Sequence, residues 1–180
     1  MKQPTLIIVG NPNVGKSVLF NSLTGSYAVV SNYPGTTVEV TKGKADYGNY
    51  KLDVIDTPGA YSLLPITEEE RVTRAVLLNE NPKIVLHVVD AKNLERMLAL
   101  TLQLIETALP VILVLNMMDE LEKMGQKINI ERLENKLQIP VVGVVAITGK
   151  GIDVLKNRIS EYAEKYRKTD LAADMHELSD

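Results

Sequence analysis

No cysteine occurs among the 180 residues of this sequence. Disulfide bonds and thiolate metal sites are therefore excluded, and the composition fits a reducing compartment. The sequence also lacks any apolar run near the roughly eighteen residues of a membrane span, and its longest, Leu109 to Leu115, has the length of a strand. The apolar run that follows Met1 is too short for a secretory signal. We expect this chain by itself to be soluble.

An excess of positive charge is missing as well, because the formal net charge is −3. We therefore expect no general attraction to nucleic acid or to anionic lipid. Hydrophobic residues make up 45% and charged residues 24% of the chain, an ordinary composition for a soluble globular protein. The length is sufficient for one domain with a full core.

Short runs rich in β-branched residues alternate with segments whose apolar residues recur at helical spacing. This pattern predicts an α/β fold with a six-stranded, mostly parallel sheet and helices on both faces. A hairpin signal at Asp46–Asn49 adds one antiparallel edge strand. We assign 1–167 to this domain and 168–180 to a polar tail that begins another helix or frays. The strand candidates are Leu6–Val9, Val38–Lys44, Lys51–Ile55, Ile84–Val89, Val111–Leu115 and Val141–Val145.

A phosphate-binding motif, G-x-x-x-x-G-K-[ST], follows the first strand and precedes a helix. Its glycines let the backbone close around phosphates, and successive N–H groups supply partial positive charge. Lys16 is expected to reach the β- and γ-phosphates, and the Ser17 hydroxyl to bind Mg²⁺. The predicted nucleotide contacts of this loop are Gly10, Asn11, Pro12, Asn13, Val14, Gly15, Lys16, Ser17 and Val18.

Two candidate switch segments accompany this loop: the first switch, Tyr27 to Thr37, and the second switch, which begins at Asp56. Asp56-Thr57-Pro58-Gly59 follows the third strand, where the carboxylate can hold a Mg²⁺-bound water and the Gly59 N–H can meet the γ-phosphate. Upstream, Tyr27 to Thr37 is interpreted as a loop that orders with a triphosphate and whose Thr36 or Thr37 hydroxyl gives Mg²⁺ a ligand. Without the other motifs, either segment would be a plain turn or surface loop.

Guanine selectivity is predicted from Asn116-Met117-Met118-Asp119, after the fifth strand. The Asp119 carboxylate can accept hydrogen bonds from N1–H and the exocyclic amine of guanine, a donor pair that adenine lacks. Asn116 is expected to tie this segment to the phosphate loop, while Met117 replaces the lysine of the usual N-K-x-D. After the sixth strand, Val145-Ala146-Ile147 stands where a base-covering loop belongs, and the Ala146 N–H could donate to guanine O6.

The ordered set resembles the translation-factor class of GTPases with a Ras-like fold and, more specifically, the FeoB family of bacterial and archaeal ferrous iron transport proteins. The likeness spans nearly all of residues 4–166. It is carried by Asn13, Asn32–Glu39, Asp56–Leu63, Val89–Arg96, Leu100–Leu104 and Asn116–Asp119. Departures are Tyr33 for the usual Trp, Thr57 for the usual Leu, and Ala146-Ile147 where a Ser-containing pair is common.

The resemblance implies a cytoplasmic GTP-binding domain of a larger membrane protein, followed by a helical regulatory domain and a transmembrane iron pathway. The domain would lie at the cytoplasmic face of the cell membrane, with self-association left open. By motif match Thr37 is the Mg²⁺ ligand of the first switch, because Thr36 occupies a position that is often apolar in the family.

Hydrolysis requires a source of charge other than the water-orienting Gln of Ras-like enzymes, because Ala60 stands at that position. In related GTPases an Asn at the position of Asn13 helps to hold K⁺ against the phosphates. We hypothesise that Asn13 does so here, the alternative being that it only braces the phosphate loop. The predicted catalytic residues are Lys16, Asn13, Thr37 and Gly59.

Two further functions stay open at this stage. One is a nucleotide-sensing module with negligible turnover, and the other is a GTPase of ribosome assembly or RNA modification. The acidic tail argues against the second, and Asn116 with Asp119 argues against an ATP-using enzyme. His87 lies mid-strand and is interpreted as a buried structural residue, and Glu68–Glu70 as the acidic start of a helix.

Overall fold

The sheet of this protein has seven strands in the computed structural model, which describes residues 4–25, 28–47 and 51–177. The strands are β1 Thr5–Val9, β2 Ala28–Asn32, β3 Glu39–Asp46, β4 Lys51–Asp56, β5 Ile84–Asp90, β6 Val111–Asn116 and β7 Val141–Gly143. Their order across the sheet is β2-β3-β4-β1-β5-β6-β7. β1, β4, β5, β6 and β7 are parallel, whereas β3 is antiparallel to both of its neighbours.

Helices cover both faces of this sheet. They are α1 Lys16–Thr24, α2 Glu68–Asn79, α3 Leu94–Glu106, α4 Met118–Lys123, α5 Ile130–Leu137 and α6 Ile152–Glu177, with a 3₁₀ turn at Ala91–Asn93. The central strands are buried on both sides because their side chains alternate between two cores. Leu6 and Ile8 of β1 pack with residues of α1 and α6, whereas Ile7 and Val9 pack with residues of α2 and α3.

Strand β2 corrects the prediction of six strands. Its residues lie within the segment 27–37, which was predicted as a loop, and all five are exposed. No alternation of buried and exposed residues marks them, so the sequence pattern gives no strand signal. The strand forms through backbone pairing with β3, in which Val30 lies opposite Thr41. The predicted antiparallel edge is present, because β3 pairs antiparallel with β4, but the additional strand β2 lies outside β3 and is the outermost strand.

The remaining predicted strands occur with shifts of one or two residues at their ends. β7 is shorter than predicted because the chain turns after Val144, where the Val145 N–H donates to the Lys150 carbonyl at 2.9 Å. The predicted turn at Asp46–Asn49 falls partly outside the described residues.

The backbone of α6 continues without a break across position 168, where the predicted tail begins. Residues 168–177 are therefore helical, and their assignment to a following domain stays a prediction. Over the part of the chain that the structure describes, none of the helices combines the length and apolar character that crossing a bilayer requires.

Candidate functional site

The predicted motifs meet at one edge of the sheet, beyond the carboxyl ends of β1, β4, β6 and β7. Strand register accounts for this, since Ile8 of β1 lies opposite Asp56 at the end of β4. On the other side, Asp90 at the end of β5 lies opposite Asn116 at the end of β6. In open parallel sheets, ligands bind at this edge.

The loop between β1 and α1 is shaped by two glycines. Gly15 has φ +90°, and a Cβ there would lie 2.3 Å from the Asn116 Nδ2 atom. At Gly10 a Cβ would lie 2.2 Å from the Val88 carbonyl oxygen. Only glycine fits these positions, so the loop packs its backbone against β5 and β6. The N–H groups of the loop lead into the N-terminus of α1, a place where binding of an anion is favoured.

Lys16 lies inside this loop, with a residue exposure of only 8%. Its Nζ donates hydrogen bonds to the carbonyl oxygens of Gly10 at 3.1 Å and Asn11 at 2.9 Å. Burial lowers the pKa of the ammonium group, and the nearby Asp56 carboxylate raises it in part. The positive charge is therefore held at the loop centre.

Ser17 and Asp56 form a pair of oxygen donors beside Lys16. The Ser17 hydroxyl donates to Asp56 Oδ2 at 2.8 Å. Burial raises the pKa of the Asp56 carboxyl, while the Ser17 hydrogen bond and the Lys16 charge lower it. Among the described residues, Asp56 Oδ1 has no hydrogen-bond partner although it is buried. A buried carboxylate oxygen requires a partner, so this donor set fits Mg²⁺ and its bound water.

The segment after Asp56 is tied to the phosphate loop. The Thr57 hydroxyl donates to the Ile8 carbonyl at 2.9 Å, and the Ala60 N–H donates to the Gly10 carbonyl at 3.0 Å. A Cβ at Gly59 would lie 2.6 Å from the ring of Pro12. Gly59 therefore allows the two segments to approach closely.

The two candidate threonines of the first switch differ in their contacts. The Thr36 hydroxyl donates to the Tyr33 carbonyl at 2.9 Å and accepts from the Val38 N–H at 3.2 Å, which closes a turn. Thr37 is exposed. The Thr36 hydroxyl is thus engaged within the loop, which favours Thr37 as the residue with a hydroxyl available to a ligand.

A cavity of about 170 Å³ lies between the phosphate loop, the start of α4 and the segment after β7. Eight of its nine lining residues are among those predicted to contact the nucleotide. Val18 and Ile147, which are 43% and 84% exposed, are apolar side chains at this cavity and suit the faces of a flat ring. The lining residues are Gly15, Val18, Asn116, Met117, Asp119, Glu120, Val145, Ala146 and Ile147.

Asn116 joins the walls of this cavity. Its Nδ2 donates to the Val14 carbonyl at 2.9 Å, as the sequence predicts, and its Oδ1 accepts from the Ala146 N–H at 3.0 Å. The Ala146 N–H is therefore already engaged, so the predicted bond to guanine O6 requires that it be shared or exchanged. Met117, in the left-handed conformation with φ 61°, precedes α4 and turns the chain so that Asp119 lies at the cavity.

Asp119 and Asn13 carry exposed polar groups at the site. The Asp119 carboxylate lies 3.3 Å from Lys123 Nζ, a pair in which the lysine side chain is 75% exposed. Asn13 is exposed and has φ 63°. Within the described chain its side chain makes no hydrogen bond, so the alternative that it braces the loop has no contact to support it.

Two residues of the site region are missing from the sequence prediction. Glu120 lines the cavity, although nothing in the motif marks it. Glu70, buried in α2, accepts hydrogen bonds from the N–H groups of Tyr61, Ile66 and Thr67. These bonds lower the pKa of the Glu70 carboxyl and fix the segment after Gly59. The capping-box pattern, Thr67 followed three residues later by Glu70, is the signal that could have found it.

Comparison with known proteins agrees with this arrangement. The family model described as ferrous iron transport protein B matches residues 4–159. The chain belongs to this family. The Fe(2+) transport protein A/Fe(2+) transporter FeoB fusion protein of Porphyromonas gingivalis is 48% identical over 149 residues, which are 82% of this chain and 18% of that protein. The chain thus spans about a fifth of the length of that curated relative.

Solved structures of the family have the same fold. The cytosolic domain of the T. maritima FeoB iron transporter in a GDP form superposes with a TM-score of 0.87 at 41% identity, over 91% of this chain and 65% of that one. The FeoB G-domain from Methanococcus jannaschii superposes with a TM-score of 0.79 at 39% identity, over 91% of this chain and 99% of that one. The predicted Ras-like α/β fold is therefore confirmed, with seven strands instead of six.

Proposed function

We propose that this chain is the GTP-binding switch domain of a ferrous iron transporter, and that it binds GTP or GDP with Mg²⁺ and hydrolyses GTP slowly. The site has two half-sites: the phosphate half-site, which is the buried loop around Lys16, and the base half-site, which is the cavity at Asp119. The observation that carries the proposal is that Asn116 connects the two by hydrogen bonds. The GDP form of the T. maritima relative supports the choice of nucleotide.

The residues of the phosphate half-site have distinct roles in this proposal. Lys16, held by two loop carbonyls, faces the β- and γ-phosphates, and the N–H groups of 11–17 surround them. Ser17, Thr37 and, through water, Asp56 would hold Mg²⁺, whose charge neutralises the phosphate oxygens. Gly59 offers its N–H to the γ-phosphate, and its contact with Pro12 transmits the presence of that phosphate to α2.

Hydrolysis in this site depends on positioning rather than on a catalytic base. Ala60 is 1% exposed and carries only a methyl group, so it has no means of orienting a water. The slow rate follows from this, since backbone groups of the two switches are left to hold the water. The exposed Asn13 amide is available to hold K⁺ against the phosphates, where the ion would add positive charge in the manner of an arginine finger.

The role in transport rests on the relatives. The relative from Porphyromonas gingivalis is named as an Fe(2+) transporter fusion protein, and this chain corresponds to 18% of it. We infer that a helical regulatory domain and a transmembrane domain accompany this chain, at the cytoplasmic face of the membrane. Exchange between GTP and GDP would then reorder the switches and bias the attached domains.

Phosphate release from GTP tests this proposal. It is measured with Mg²⁺ in KCl and in NaCl at equal ionic strength, for the native chain and for Asn13→Ala. Faster release in KCl, lost in the variant, supports the K⁺ role. Equal rates in the two salts contradict that role, and the absence of any GTP-dependent release contradicts the GTPase.

A second function is favoured by the buried Ala60 methyl group. In that case the chain senses the nucleotide by binding alone, and turnover is incidental. Tight GDP binding together with release rates near zero in both salts would support this module over the GTPase.

A further inference from the structure

Lys92 forms an ion-pair cluster behind the guanine-recognition segment. It belongs to the 3₁₀ turn after β5, and its ammonium group contacts the Glu120 carboxylate on α4. The same ammonium lies 3.9 Å from Asp90 Oδ2. The side chains of Asp90, Lys92 and Glu120 are 13%, 27% and 46% exposed, so the cluster is more shielded from water on the β5 side than on the α4 side.

The β5 side of this cluster is fixed by local hydrogen bonds. Asp90 Oδ1 accepts from the Lys92 N–H at 3.0 Å, and Asp90 Oδ2 accepts from the Asn93 side-chain amide at 2.9 Å. Asp90 also lies opposite Asn116 in the register of β5 and β6. Lys92 therefore connects a rigid strand end to the short helix that carries Asp119.

The cluster gives the two neighbouring carboxylates, Asp119 and Glu120, different partners. Asp119 and Glu120 both line the cavity, but guanine offers a donor pair for only one carboxylate. Lys92 contacts Glu120 directly, whereas it acts on Asp119 only as a nearby charge. The Asp119 carboxylate contacts Lys123, in an exposed pair that a base can displace at little cost. Met117 stands where the usual recognition motif has a lysine, so no lysine within the motif holds this segment.

We propose that Lys92 is a positioning residue for guanine recognition: by pairing with Glu120 and Asp90 it fixes the start of α4 so that Asp119 faces the base. The inference deepens the proposed function and rests on it. Lys92 does not contact the nucleotide itself, and it affects the affinity for guanine through the position of Asp119.

The test compares GDP with IDP, which lacks the exocyclic amine of guanine. Both are titrated calorimetrically into the native chain and into Lys92→Ala with Mg²⁺. We expect the variant to bind GDP about three- to tenfold more weakly and IDP less than about twofold more weakly, because a misplaced Asp119 loses the bond to the amine. The preference for GDP over IDP therefore falls by the ratio of the two losses, between about 1.5-fold and tenfold.

Two variants serve as controls. Lys92→Arg keeps the charge and is expected to retain most of the preference. Lys127→Ala removes a nearby exposed lysine for which the structure gives no ion pair, so it has the same change of net charge without the tether. It is expected to leave the ratio of the two affinities unchanged.

The outcomes separate the two claims. If the native chain prefers GDP and Lys92→Ala keeps that preference, or weakens both nucleotides equally, the positioning role is wrong and the proposed function stands. If the native chain binds neither nucleotide, the proposed function is wrong and the role of Lys92 fails with it.

Discussion

At the level of single residues, the site depends on close approaches that only a glycine permits. Gly15 lets the phosphate loop pass the Asn116 amide, and Gly59 lets the second switch touch Pro12. The glycines themselves are visible in the sequence because the motif contains them. Their partners are not visible, because Asn116 lies 102 residues after Val14, whose carbonyl it binds in the loop.

Gly15→Ala is predicted to weaken GDP binding at least about tenfold, since the added methyl group displaces the Asn116 amide and loosens both half-sites. Calorimetric titration measures the effect. Gly25→Ala is the matched control, because Gly25 has φ +71° but no atom within 4 Å of the added Cβ. Gly15 lies in the left-handed helical region, where alanine costs about 1–2 kcal/mol. Gly25, with ψ −147°, lies close to a region that is nearly exclusive to glycine, so its alanine variant carries at least as much backbone strain without the contact to Asn116. Equal GDP affinities in the two variants would refute the role assigned to the contact.

At the level of elements, the second switch is held to α2 by one buried carboxylate. Glu70 accepts three backbone N–H groups from the segment 61–67, and the side chain of Thr67 caps the helix. This arrangement gives the segment a defined path between Gly59 and α2.

Glu70→Ala is predicted to lower the free energy of unfolding by about 1–3 kcal/mol, because the variant leaves these N–H groups without their acceptor. Urea denaturation monitored by circular dichroism gives the value. Glu69→Ala, an exposed neighbour in the same helical turn, is the control and is expected to change it by less than about 0.5 kcal/mol. Similar losses in both variants would show that the helix start, rather than the clamp, is responsible.

His87, in β5, makes the free energy of unfolding depend on pH. The residue is wholly buried, its Nδ1 lies 2.9 Å from the Thr101 hydroxyl, and burial together with the Lys16 charge lowers its pKa to about 3. The unfolded chain has an ordinary histidine with a pKa near 6.5, so it binds a proton below that pH while the folded chain does not. The free energy of unfolding therefore falls as the pH falls from about 6.5 towards 3.

We predict that this histidine contributes a slope of up to about 1.4 kcal/mol per pH unit between pH 6 and 4. His87→Asn removes the titrating ring, so its unfolding free energy should depend less steeply on pH in that range. Urea denaturation at pH 6, 5 and 4 compares the two slopes. Parallel slopes for both proteins would contradict the assignment.

The elements differ in how far the sequence predicts them. Strands β1, β5 and β6 are predicted well because burial on both faces leaves nearly continuous apolar runs. β4 is predicted from its apolar residues Leu52, Val54 and Ile55, between which Asp53 is only partly buried. β2 was missed because its five residues are exposed and pair only through their backbone. α5 was also missed, although Ile130, Leu133 and Leu137 recur at helical spacing and pack on one core cluster.

At the level of the whole molecule, the site is a consequence of topology. A parallel sheet brings the ends of β1, β4 and β6 to one edge, so motifs far apart in sequence become neighbours. The contacts that connect these motifs depend on tertiary packing. Lys92 and Glu120 belong to no motif, and Glu70 is marked only by the capping-box pattern that it forms with Thr67. The order of the motifs is therefore sufficient to predict which segments meet at this edge, but not the contacts that hold them together.

The most direct test of the account is the choice of base by the intact chain. Calorimetric titration with GDP and with ADP, both with Mg²⁺, compares two ligands that share their phosphates and differ in the base. The account predicts that GDP binds at least about a hundredfold more tightly, because the Asp119 carboxylate can accept from the N1–H and the exocyclic amine of guanine, a donor pair that adenine lacks. Equal affinities, or binding of neither nucleotide, would contradict it.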